Sequence, residues 1–93
     1  MVEFDIPHPL TEDFLDLVPE QREVIDDLFS RGELLSYTVS SNRRRVWAVI
    51  VTENESKLLN LIDELPMTSY MDYDYNELMF YNTVHQMPAM SLN

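Results

Sequence analysis

The stretch Asn54–Tyr75, NESKLLNLIDELPMTSYMDYDY, decides how this chain folds. Leu58, Leu61, Ile62 and Leu65 stand at i, i+3, i+4 and i+7, which is one apolar stripe on a helix. Asn54 suits the start of that helix, because its side-chain oxygen can take a first-turn backbone N–H that has no partner inside the helix. Pro66 has no N–H and drives Leu65 out of the α region, so the helix stops there. After a short turn, Met71, Tyr73 and Tyr75 alternate with Asp72 and Asp74. A period of two is a strand with one apolar and one polar face.

Outward from this stretch, the chain repeats the plan. Val2, Phe4 and Ile6 alternate with Glu3 and Asp5, and Pro7-His8-Pro9 closes that strand. Thr11 to Arg31 has helical periodicity broken at Pro19, so the spacing predicts a short first turn and a main helix over 19–31. Gly32, the only glycine, follows where a left-handed residue is wanted. Leu34 to Ser40 reads as a second strand, with Leu35, Tyr37 and Val39 on one face. Ser41-Asn42-Arg43 reads as a turn. Arg44 to Val51 reads as a third strand, apolar on one side through Trp47, Val49 and Val51 and on the other through Val46, Ala48 and Ile50.

Strand, helix, strand, strand, helix, strand is the α+β, ferredoxin-like βαββαβ plan, a four-stranded antiparallel sheet with two helices on one face. The other face is left bare. With strand three apolar on both sides, two copies are expected to pair sheet to sheet as a homodimer, a dimeric α+β barrel, or to build a larger homo-oligomer. The chain reads as one domain over 1–93. Its tail, from about 79 to 93, holds Phe80, Tyr81, Met87, Met90 and Leu92 and is expected to pack on a neighbouring subunit.

The net charge of −11 argues against nucleic acid and anionic membranes as partners, since both need a basic face. No apolar run approaches the roughly 18–20 residues that span a bilayer. The start MVEFDIP lacks a basic leader region, so a cytoplasmic protein is expected. There is no cysteine, no glycine-rich phosphate loop, no metal-ligand spacing and no nucleophile triad. No metal and no cofactor is expected.

Leu65-Pro66 followed by Tyr70-Met71-Asp72 resembles the muconolactone isomerase family, in which a helix ends in Leu-Pro and a short turn leads to Tyr-Met-Asp at the last strand. The likeness extends more loosely, in element order and length, over residues 1–78. It implies a ferredoxin-like domain that pairs and builds rings. It also implies an enzyme that shifts a double bond in a small unsaturated lactone carrying a carboxylate, without metal or organic cofactor. The second strand here lacks the Trp, His and Arg that the family tends to carry there.

Such proton transfer needs a base, a donor to the carbonyl and a cation for the carboxylate. His8 and Asp72 are the candidate proton carriers and Tyr70 the candidate donor. Arg45, which shares parity with Trp47, is the candidate carboxylate contact. Tyr37, Trp47, Tyr73 and Tyr75 are candidates to line an aromatic cavity between paired sheets, on the helix-free face near the strand-two/strand-three hairpin. Each has a plainer reading. His8 is also an ordinary turn residue, Asp72 a solvated carboxylate, and the aromatics ordinary core or interface. A different class of function, a non-catalytic dimeric domain that binds a ligand or serves assembly, fits the same residues.

Overall fold

The computed structural model describes residues 1–79 and Asn82. In chain order these form strand β1 (Val2–Asp5), helices α1 (Glu12–Asp16) and α2 (Val18–Ser30), strands β2 (Leu34–Val39) and β3 (Arg45–Ile50), helix α3 (Glu55–Glu64), a 3₁₀ turn (Pro66–Tyr70) and strand β4 (Asp72–Tyr75). The strands make one open antiparallel sheet in the order β2-β3-β1-β4. This α+β arrangement is compatible with a ferredoxin-like plan. The first helical region is two helices rather than a turn and a helix, so three helices are present among the described residues. Most of the tail expected over 79–93, and its packing, lies outside the described residues.

The helix ends follow from local chemistry. Asn54 caps α3 by accepting the Lys57 N–H at 2.8 Å. Past Ser30, Gly32 takes φ 73°, the Gly32 N–H reaches the Phe29 carbonyl, and the Glu33 N–H reaches back to that of Leu28, both at 3.0 Å. That pair of bonds is a Schellman ending, which needs a left-handed residue. At the end of α3, Pro66 has no N–H to give to the Ile62 carbonyl. The Leu65 N–H at 3.1 Å and the buried Thr68 hydroxyl at 2.8 Å take its place. The Leu-Pro-Met-Thr run is thus a built stop rather than a loose turn.

Val2 and Phe4 of β1, Val46 and Ala48 of β3, Ile25 and Leu28 of α2, and Leu61, Ile62 and Leu65 form one core between sheet and helices. Strand β2 departs from simple alternation. A bulge lies between Leu34 and Ser36, where Leu34 pairs with Ile50 and Ser36 with Val49. Leu34 therefore shares the helix-facing side with Tyr37, and Leu35 is turned out to solvent.

The helix-free face is not the apolar patch that strand three alone suggested. Its partner residues on β1 and β4 are Glu3 opposite Asp74 and Asp5 opposite Asp72. Like charges directly across a ladder repel. Arg45 offsets this by reaching Glu3 at 2.5 Å and Asp5 at 3.2 Å. Trp47 is half-buried, with its indole N–H on Glu3 at 3.1 Å, and Val49 is already only 7% exposed. No helix among the described residues is long and apolar enough to cross a membrane.

Candidate functional site

A cleft of about 500 Å³ opens on the other side of the sheet, between α1, α2 and the β2–β3 hairpin. Phe14, Val18 and Ile25 form its helical wall, and Val39, Val46 and Met71 its floor. Its ionisable lining residues are Arg22, Asp26, Tyr37 and Arg43. Two cations against one carboxylate make this cleft locally basic in a strongly acidic chain.

Inside it, one polar relay is oriented without ambiguity. Gln21 is 3% exposed, on the α2 stripe with Ile25 and Leu28. The Met67 backbone N–H, which can only donate, lies 3.1 Å from Gln21 Oε1. That fixes the amide, so Gln21 Nε2 donates to the Tyr37 hydroxyl oxygen at 3.2 Å. Tyr37 accepts in this bond, so its own hydroxyl hydrogen remains available to donate, and Tyr37 lines the cleft. Burial raises the Tyr37 pKa above the ordinary phenol value, against a smaller lowering by Gln21. Tyr37 is therefore a neutral donor throughout the physiological range, never a base there. The 3₁₀ turn that stops α3 is also what presents the Met67 N–H, so the Leu65–Tyr70 stretch reaches the site through Gln21.

The residues singled out by sequence do not come together. Tyr37 lies in the cleft, whereas Arg45 and Trp47 lie on the helix-free face with Glu3. Tyr37 and Trp47 sit on opposite sides of the sheet and line no common cavity. Tyr73 pairs with Phe4 on the helix side, with ring centroids 5.7 Å apart. Tyr70 is 45% exposed on the 3₁₀ turn, with its ring edge-on to Phe14. It is not on the helix-free face where the hairpin site was expected. Asp72 is exposed opposite Asp5. His8 is exposed, with Nδ1 3.3 Å from the Ile6 carbonyl oxygen. Arg45 is engaged by Glu3, which together with Asp5 raises its pKa.

Sequence reading missed Gln21, Arg22, Asp26 and Arg43. Gln21 carried a signal, since a glutamine at i, i+4, i+7 spacing with Ile25 and Leu28 must be buried and needs partners.

A second groove of about 550 Å³ lies at the far end of the sheet. Glu53, Glu55 and Glu77 line it with no Lys or Arg, so it repels an acid. Among the described residues no group of three or more acidic or histidine side chains is placed to hold a metal ion. The chain matches no family model and no curated protein.

Proposed function

We propose that this protein is muconolactone-isomerase-like, taking a small unsaturated lactone or organic acid into the helix-side cleft and moving a proton along its allylic unit. The observation that carries this reading is Tyr37, a phenol with an unspent hydrogen in an apolar cleft whose rim is cationic. Removing a proton from a carbon conjugated with a carbonyl puts negative charge on the carbonyl oxygen. A fixed donor there stabilises the transition state. The proton then returns at the other end of the unit, so the double bond moves and the formula is unchanged. Asp26 is the carboxylate of the lining and takes the proton in this scheme. Following millimolar muconolactone by proton NMR tests it. Loss of the substrate's vinyl signals with growth of the isomer's is expected, and an unchanged spectrum contradicts the isomerase.

One observation favours a second reading, a binding domain without catalysis. Asp26 is exposed, and it is the only carboxylate among the described residues lining the cleft. Saturable binding without turnover would select that reading.

Sheet-to-sheet pairing is part of the same proposal. Trp47 and the exposed Val51 would supply its apolar contacts, with Glu3, Asp5, Asp72 and Asp74 close by. Their repulsion makes the dimer salt-dependent. Light scattering should report a larger particle in high salt than in low. An 11.0 kDa particle in both would dismiss the dimer.

A further inference from the structure

The chain has six Lys and Arg against 17 Asp and Glu, so a cation without a carboxylate partner needs an explanation. Arg31 is held by Asp27, Glu33 and Glu64, and Arg45 by Glu3 and Asp5. Arg22, Arg43, Arg44 and Lys57 make no ion pair among the described residues. Of these four, Arg22 and Arg43 line the cleft, one from α2 and one from the hairpin turn.

Arg43 is also the one non-glycine residue with positive φ among the described residues, at 60°. An L side chain is disfavoured there by contact of Cβ with the backbone. The turn is held by a local network. The Arg43 N–H bonds the Ser40 carbonyl at 2.9 Å, and Ser40 Oγ donates to Asn42 Oδ1 at 2.6 Å. The Arg44 N–H bonds Asn42 Oδ1 at 3.0 Å, and the Arg45 N–H bonds Ser40 Oγ at 3.1 Å. Nothing in that network uses the Arg43 side chain. Glycine would make the same turn without strain. Strain kept at one residue whose unpaired charge lines a cavity points to function rather than folding.

We propose that Arg43 and Arg22 together bind the carboxylate of the ligand at the mouth of the cleft, while its carbonyl end lies against Tyr37. The inference rests on the cleft being the ligand site, and it names the ligand as an acid with its charge and its carbonyl at opposite ends. Two cations lining one cleft favour an anion there over a neutral ester. Guanidinium–carboxylate contacts are charge-assisted and directional.

The test compares muconolactone with its methyl ester, by calorimetric titration of the wild type, Arg43→Gly, Arg22→Gln and Tyr37→Phe. Each arginine variant should bind the acid about 10-fold or more weaker, the range of a lost charged hydrogen bond. Each should bind the ester as the wild type does. Arg43→Gly should also melt a few degrees higher, which shows that its weaker binding is not misfolding. Wild-type affinity for the acid in both arginine variants would overturn the pair. If Tyr37→Phe still weakened the ester, the cleft would stand without it. If the wild type bound neither compound, the cleft reading and the arginine pair would both fall.

Discussion

Replacing Ile62 by aspartate is expected to leave no cooperative thermal transition. Ile62 is fully buried on the stripe of α3, in the core that joins α2, α3 and the sheet. A carboxylate there has neither water nor a partner, and the loss should reach about 4 kcal/mol or more. Total stabilities run to about 5–15 kcal/mol, and a domain this small sits toward the low end. Leu59→Asp, at a half-buried position beside the same core, should lower the melting temperature less. Asn60→Asp, on the exposed side, should move it by about 0.5 kcal/mol or less. Circular dichroism melts of the three variants decide it. Equal losses at 59, 60 and 62 would mean that the helix is phased differently.

Tyr37→Phe is expected to cut muconolactone turnover about 100-fold, the usual effect of deleting one donor to a developing oxyanion. The donor matters most when charge builds on the carbonyl, so kcat should fall more than affinity. Phenylalanine keeps the ring and removes only the hydroxyl. It also leaves Gln21 Nε2 without its acceptor, at a cost of about 1–3 kcal/mol in stability. The assay therefore belongs well below both melting transitions. Because burial raises the Tyr37 pKa, its deprotonation should not shape the wild-type pH profile near neutrality. An unchanged kcat in the variant would remove Tyr37 from the chemistry.

Much of the fold was legible because it rests on local rules. The stripe at Leu58, Leu61, Ile62 and Leu65, the stop at Pro66 and the ending at Gly32 each follow from one or two residues. Strand β2 was misread because a bulge has no signature in a run such as Leu34-Leu35-Ser36. Strand three alone makes the bare face look apolar, because its neighbours are not in its own pattern. Parity showed Trp47 and Val49, but only the register places Glu3, Asp5, Asp72 and Asp74 around them. The site was largely illegible for a related reason. Alternation tells which residues share a face, not which face the helices cover, so it cannot separate Tyr37 from Trp47. Three consecutive arginines, Arg43, Arg44 and Arg45, look alike in the sequence yet part in the fold. Arg45 belongs to a strand and pairs with carboxylates, whereas Arg43 belongs to a left-handed turn position and lines the cleft.

In the proposed function the ligand occupies the helix side of the sheet. Backbone amide NMR during titration with muconolactone tests it most directly. Shifts concentrated at Gln21, Arg43 and Met67, with Glu3, Trp47 and Asp74 unmoved, are the expected result. Shifts concentrated at Glu3, Arg45 and Trp47 would place the ligand on the helix-free face and contradict it.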